Sequence, residues 1–420
     1  MDTLVYTATA LWQTGTTSIT TTTIVASIAL YLGICQVLRF QKLKSMVKKY
    51  GFGFTARPSF ADMTIEEAHE IQDQVSTSEF PAIFEKGLQF ALFRTYGIPS
   101  ISKLLVQTAQ LGTSENVAKR YADTSVIIVE IYSNPPFSER NAEAFARMNY
   151  LHDHYRKQGK ISNDDMLYTL SLFMNQPCEW IDRYEWRTLT DLERCAIATF
   201  HKSMGDAMNI SYESLPGYET GWKDGLQFYH ELDKWSKDYE VKNMVPDDNN
   251  HKIAIKTKEL LLSTIPAFSR PIATSLIAAA MDERLRVAMK FEPASQSIVQ
   301  SLQAFMAVRR IILRHFCPPR WSHSRYHSTK SSTDGRDWVQ VWSTTPHYVK
   351  PTLWNRFGPS GIYQLLIGAP RPGDKGMCPE GFLRSNVGPR AFDKKGKDEF
   401  SQTKSRLMQS SNLECPFRAV

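Results

Sequence analysis

Two histidines in one short segment are the first residues whose chemistry stands out. The segment FARMNYLHDHYRKQGKIS, residues 145–162, contains His152 and His154 and is typical of a helix. At about 100° per residue, His152 falls on the apolar side of that helix, and His154 falls on the far side, near Arg147. The apolar side comprises Phe145, Met148, Leu151 and Tyr155. An imidazole on an apolar wall suits haem iron, although most histidines in such positions are ordinary core residues.

A second group of polar residues occurs in KRYADTSVIIVE, residues 119–130. Arg120, Asp123 and Thr124 have the i, i+3, i+4 spacing that places side chains on one face of a helix. The simpler interpretation is an Arg120–Asp123 ion pair, with the Thr124 hydroxyl bonded to its own helix. The functional interpretation is the polar end of an apolar pocket, where these groups handle bound oxygen or a substrate oxygen.

Other motifs are weaker. GFGF at residues 51–54 lacks the context of a dinucleotide site, and no nucleophile elbow or phosphate-binding loop is present. His323 and His327 are four residues apart, but their surroundings are rich in serine and arginine, as in a loop. The six cysteines form no CxxC pair, which argues against a zinc site or a disulfide framework.

Several blocks, in order along the chain, resemble the fungal ER-bound oxygenases of the mycophenolic acid type (MpaB-like). They are FPAIFEKGLQFALFRTYGIPSISKLL, KRYADT, ARMNYLHDHYR, LYTLSLFMNQPCEWI, YEWRTLTDLERCAI, MVPD, DERLRVAM and YVKPTLWNRFGP. More distantly, the helical part is similar to the bacterial rubber oxygenases, or latex-clearing proteins, which are all-helical haem b proteins. The resemblance implies O₂-dependent cleavage of a C=C bond in the prenyl side chain of a meroterpenoid intermediate.

The resemblance also implies roles for individual residues. His152 matches the proximal haem histidine, in a cofactor-binding block that begins at Arg147. Arg120 and Thr124 match a distal Arg-x-x-x-Thr framework. Asp123 is a departure, because the rubber oxygenases have an iron-binding lysine there. An aspartate cannot replace a neutral amine, so we expect an open distal side on which Asp123 acts as a base.

Two other functions are compatible with the same residues. One is a non-haem metal oxygenase that uses His152 with Asp123 or other carboxylates. The other is a membrane-tethered binding protein that presents prenylated aromatic intermediates to other enzymes. In the enzymatic interpretations the partners are a prenylated aromatic small molecule and O₂. Nucleic acid is not expected, since the net charge of +7 over 420 residues is modest and spread along the chain.

The elements that position these residues are predicted to be helices. Turn signals such as Gly97-Ile98-Pro99 and Asn134-Pro135-Pro136 separate segments with helical periodicity, and alternating strand patterns are few. Residues 162–187 begin with a capping serine or asparagine, and Thr190 with Glu193 resembles a capping box. We therefore expect an all-α fold of the rubber-oxygenase type.

An uncharged stretch near the N-terminus predicts a membrane anchor. Residues 19–38 are long enough to cross about 30 Å of hydrocarbon, and a basic segment follows at residues 39–58. The positive-inside rule then predicts a single-pass protein with residues 1–18 in the lumen and the rest cytosolic. The resemblance points to the endoplasmic reticulum as the membrane.

The remainder divides by composition into a helical oxygenase domain at residues 59–316 and an extension rich in proline and glycine at residues 317–420. Within the domain, residues 260–281 are apolar but interrupted by prolines, which predicts a buried or membrane-grazing helix pair. Residues 298–316 are apolar with three arginines near their end. That pattern suits either core packing or an anionic bilayer surface.

Overall fold

The computed structural model describes residues 2–50, 60–108, 114–324, 326–327, 331–409 and 415–417. Within these ranges the chain is helical and contains no strand, only two isolated β-bridges. The α-helices are α1 (Asp2–Arg39), α2 (Gln41–Tyr50), α3 (Ile65–Asp73), α4 (Pro81–Thr95), α5 (Pro99–Gln107), α6 (Ser114–Ser133), α7 (Glu139–Arg156), α8 (Asn163–Tyr184), α9 (Asp191–Ala207), α10 (Gly225–Asn243), α11 (Asp248–Leu262), α12 (Arg270–Ala280), α13 (Glu283–Ala288), α14 (Gln296–Phe316), α15 (Leu353–Phe357), α16 (Pro359–Leu366) and α17 (Lys397–Gln409).

The N-terminal helices carry the candidate membrane span. Residues Thr21–Tyr50 are long and apolar enough to cross a membrane, judged by length and composition. Ile24, Leu30 and Val37 are more than half exposed, as expected of side chains that would face lipid. The predicted all-α fold with one N-terminal apolar helix is therefore confirmed, while the orientation of the anchor stays a prediction. The predicted domain boundaries also stay predictions, and the boundary between residues 58 and 59 lies outside the described residues.

The centre of the domain is α8, which is buried along most of its length. Ser162 caps its first turn, and Thr190 forms a full capping box with Glu193 at the start of α9, as predicted. Helix α4 packs very closely on α8, because a Cβ at Gly87 would lie 2.5 Å from the Cα of Pro177. This close contact sets the position of α4 against α8, and these two inner helices support the site.

The C-terminal segment comprises the residues after α14, and its described part packs against α6 and α7. His327 bonds the carboxylate of Glu130 on α6 at 2.9 Å, and Arg384 bonds Glu143 on α7 at 2.7 Å. Helix α17 is tied to α7 through Lys404, which lies 2.8 Å from the same Glu143. The outer faces of α6 and α7 are thus covered by residues that follow them by about 200 positions or more.

Candidate functional site

A cavity of about 270 Å³ lies among α4, α5, α6, α7, α8, α9 and α11, and the rest of its wall comes from the connections after α7 and α9 and from the C-terminal segment. Its lining is mostly apolar, with Ile127 of α6, Leu170 of α8 and Leu260 of α11 as examples. His152 of α7 and Arg120 of α6 both border it. The cavity therefore brings together two of the residues that the sequence singled out, from different helices.

His152 is held in one tautomer. Its Nδ1 lies 2.8 Å from the carbonyl oxygen of Met148, and because a carbonyl can only accept, Nδ1 must donate. Burial lowers the pKa of the ring, so the imidazole is neutral, and the nearby charge of Arg120 acts in the same direction. Nε2 has no hydrogen-bond partner among the described residues. This is the state in which a histidine can ligate a metal.

His154 has a different environment, as its helical position predicted. It is exposed, lies 3.0 Å from the amide nitrogen of Gln158, and packs its ring against Tyr155 and Phe392. It does not border the cavity within the described part of the chain. His154 is therefore a useful control for any experiment on His152.

Arg120 and Thr124 both face the cavity, one turn apart on α6. The Thr124 hydroxyl donates to the Arg120 carbonyl oxygen at 3.0 Å, which matches the simpler interpretation for that side chain. The guanidinium of Arg120 makes no hydrogen bond or ion pair with any residue in the described ranges. A partly buried guanidinium without an acceptor is costly, so an anionic or oxygen-bearing ligand would stabilise it.

Asp123 is placed differently from the expectation. The predicted ion pair with Arg120 is wrong, because the carboxylate instead lies 2.9 Å from Nζ of Lys119 and accepts a hydrogen bond of 2.6 Å from the Tyr348 hydroxyl. It is 1% exposed and is not among the described residues that line the cavity. Burial raises its pKa, and Lys119 and Tyr348 oppose the rise. Its role as a base stays a prediction without a contact to support it.

Arg147, predicted to help bind the cofactor, is fully buried behind the cavity wall. Its guanidinium donates to three carbonyl oxygens of the C-terminal segment: Val387 at 2.7 Å, and Phe392 and Lys395 at 3.2 Å each. Burial lowers its pKa. Pro389 and Phe392 of that segment line the cavity, whereas Arg147 is absent from the described lining. Arg147 thus acts on the site through the segment it holds.

Other residues of the site were missed from the sequence. Phe392 and Pro389 close one wall, and no local pattern marks them, since they lie in irregular chain more than 230 residues beyond His152.

A second cavity of about 150 Å³ borders α6 on its other side, and Tyr121, Thr124 and Ile128 line both cavities. The helical periodicity of α6 was the signal that could have revealed these shared positions.

The chain is similar to three curated proteins. It is 42% identical over 388 residues to the ER-bound oxygenase mpaB' of Penicillium brevicompactum, with 91% of each chain covered. It is 41% identical over 346 residues to the ER-bound oxygenase mpaB of the same organism, with 82% of this chain and 81% of the relative covered. This chain belongs to the MpaB family of ER-bound oxygenases.

The third MpaB relative, from Penicillium roqueforti (strain FM164), is 48% identical over 254 residues, which cover 60% of this chain and 85% of the relative. No model from a collection of protein families matches the chain. The predicted membership of the MpaB-like family is therefore confirmed, whereas the more distant relation to the rubber oxygenases stays a prediction.

Proposed function

We propose that this protein is a membrane-anchored oxygenase that cleaves a C=C bond in a prenyl, farnesyl-type side chain of a meroterpenoid intermediate. The names of the MpaB relatives support an oxygenase at the endoplasmic reticulum. The candidate span supports attachment to that membrane. By the positive-inside rule, we propose a lumenal N-terminus and a cytosolic catalytic domain.

The observation that carries the proposal is the apolar cavity bordered by His152, whose Nδ1 is bonded to Met148, and by Arg120, whose guanidinium has no partner among the described residues. Apolar walls can hold a prenyl chain, because burial removes its methyl and methylene groups from water. Arg120 is the donor that can bind and orient an oxygen atom there. The Thr124 hydroxyl is engaged with its own helix and contributes mainly shape.

The donor set fits haem b. Haem iron takes one neutral imidazole nitrogen, and the Nδ1 bond to Met148 leaves Nε2 available for it. No group of three or more His, Cys, Asp and Glu side chains suited to a metal ion occurs in the described ranges, so those residues do not favour the non-haem alternative. Haem held by His152 would supply an iron that binds dioxygen. Arg147 and the wall formed by Pro389 and Phe392 would exclude water from that side.

A spectroscopic experiment tests the cofactor. The full-length chain is purified after expression with added haem precursor, together with His152→Ala and the matched control His154→Ala. We expect a Soret band in the wild type and in His154→Ala, and its loss in His152→Ala. Absence of the band from the wild type, or an unchanged band in His152→Ala, would refute ligation by this residue.

A second experiment tests the reaction. The holoprotein is incubated with a farnesylated aromatic compound under ¹⁸O₂, and the products are analysed by mass spectrometry. We expect shortened carbonyl products that contain ¹⁸O. If both oxygen atoms enter the two carbonyl products, the reaction balances with one O₂ and no further reductant. Binding of the compound without turnover by the haem-loaded protein would instead identify a binding protein.

A further inference from the structure

A large apolar surface lies outside the candidate site, on helices that follow it in the chain. Twelve apolar side chains on these elements are between 46% and 87% exposed, and large exposed apolar surfaces mark sites of interaction with proteins or membranes. We call this set the apolar surface: Phe268, Ile272, Phe305, Val308, Ile311, Ile312, Phe316, Leu353, Trp354, Phe357, Leu365 and Leu366.

Helix α14 forms the centre of this surface and contacts α1, α8 and α12. None of its 21 residues is buried. On the inner side, Arg309 pairs with Glu185 at 2.8 Å, and Met306 and Leu313 pack against the core. The outer side presents Phe305, Val308, Ile312 and Phe316. Their spacing of i, i+3, i+7 and i+11 is that of one helical face. The side chains of that face are between 46% and 65% exposed.

The depth of α14 follows from its contacts with α1. The Tyr31 hydroxyl donates to the carbonyl oxygen of Phe316 at 2.9 Å, and the Gln36 amide lies 2.9 Å from Nδ1 of His315. Tyr31 precedes Arg39, the first basic residue after the span, by eight positions, or about 12 Å of helix. Gln36 precedes Arg39 by three positions, and Arg39 itself donates to the carbonyl oxygen of Pro318, two residues after α14 ends. The end of α14 therefore lies beside the last turns of the candidate span, and the chain that follows α14 reaches the first basic residue.

The other parts of the apolar surface connect to α14 through packed elements. Helix α12 packs on α14, and the connection before α12 bears Phe268, which is 87% exposed. The Tyr363 hydroxyl donates to the carbonyl oxygen of Thr264 at 3.1 Å and joins α16 to the same connection. Trp354 on α15 is 76% exposed, and tryptophan is enriched where proteins meet the headgroup region.

We propose that the apolar surface is inserted into the lipid bilayer beside the membrane span, so that the protein is both anchored to the membrane and partly embedded in it. The occupant of the surface is lipid because α14 packs directly beside the last turns of the candidate span. Arg270 and Arg314 are exposed on the same elements and can reach anionic headgroups. This inference does not depend on the proposed reaction.

The surface also adjoins the cavity. Leu260 of α11 lines the cavity and precedes Phe268, the first residue of the apolar surface, by eight residues. Insertion would place that wall close to the lipid phase. A ligand that partitions into the bilayer could then reach the cavity laterally, which is a consequence that rests on the proposed function.

The test uses the full-length chain in nanodiscs of phosphatidylcholine with one copy per disc. An environment-sensitive dye is attached at Phe305→Cys, at Leu366→Cys, at Leu30→Cys in the span as a positive control, and at Gln402→Cys on α17 as a negative control. Unsubstituted protein, labelled in parallel, corrects for the native cysteines. Lipids brominated on their acyl chains should quench the dye at residues 305 and 366 as at residue 30, and should leave residue 402 unquenched.

Quenching at residues 305 and 366 that matches residue 402 would overturn the proposal. Protection of these residues from a membrane-impermeant maleimide only in discs with two copies would identify a second copy of the chain as the occupant, and would overturn it too. Because the dye could disturb folding, intrinsic fluorescence provides a second measurement. Trp354→Phe should reduce quenching of the protein's fluorescence by brominated lipid, and an unchanged value would count against insertion.

Discussion

Replacement of Arg147 by methionine should detach the C-terminal segment that closes the cavity. Methionine keeps most of the buried aliphatic volume but removes the donors to the carbonyl oxygens of Val387, Phe392 and Lys395. A hydrogen bond from a charged donor contributes about 1.5–3 kcal/mol, so three bonds represent a gross loss of about 5–9 kcal/mol.

Two effects reduce this loss. Methionine avoids the cost of burying a guanidinium, a cost already evident in the lowered pKa of Arg147. Water can also reach the carbonyls once the segment lifts from α7. We therefore expect a net loss of about 3–5 kcal/mol in the free energy of docking the segment, which corresponds to an increase in its open population of roughly 10²- to 5 × 10³-fold.

Hydrogen exchange read by mass spectrometry measures this effect directly. Peptides that contain residues 387–396 should exchange faster in Arg147→Met, whereas peptides from α8 should change much less. Arg406→Met is the matched control, because Arg406 is an exposed arginine with one bond of 3.2 Å to Asn209. Equal exchange of residues 387–396 in the wild type and in Arg147→Met would refute the reasoning, since the three bonds would then carry no docking energy.

Three further predictions concern other buried groups. Burial lowers the pKa of His201 from 6.5 to about 4. As the pH falls, the imidazole is therefore protonated in the unfolded state before it is protonated in the folded state. The free energy of unfolding should fall by about 3 kcal/mol between pH 7 and pH 4. Urea titrations of the wild type and His201→Gln should show a smaller fall in the variant; equal slopes would contradict this. Gly87→Ala should cost about 1–3 kcal/mol despite the better helix propensity of alanine, because the new Cβ meets Pro177, and an unchanged melting temperature would count against it. Asp123→Ala should destabilise the protein by about 3–5 kcal/mol because it removes the acceptor of the buried Tyr348 hydroxyl and leaves Lys119 with only the carbonyl oxygen of Gly388, while Asp123→Asn should cost less; a variant of wild-type stability with no turnover would restore the catalytic interpretation.

The parts of the site that depend on local periodicity were predictable. The inward direction of His152 and the outward direction of His154 follow from their positions on one helix, and both are as expected. Arg120 and Thr124 likewise share a helical face that borders the cavity. Periodicity gives the direction of a side chain relative to its own helix, and that was sufficient for these four residues.

Partners distant in the chain were not predictable. Asp123 has a basic residue at both i−3 and i−4, so spacing alone could not choose Lys119 over Arg120. The Tyr348 hydroxyl that helps fix its position is 225 residues away. His327 was interpreted as part of a polar loop, yet it is buried against Glu130, which precedes it by 197 residues. Only the folded chain shows which helix face the C-terminal segment covers.

The order of the chain also sets the order in which the cavity is completed during synthesis. His152 and Arg120 emerge from the ribosome early, but Val387, which Arg147 holds in place, is made 240 residues after that arginine. At about 5–20 residues per second, this wall is missing for roughly 10–50 s. The side of the cavity that Pro389 and Phe392 cover is therefore open until late in translation. After that interval, entry from this side requires the segment to separate from Arg147 and so to break its three bonds.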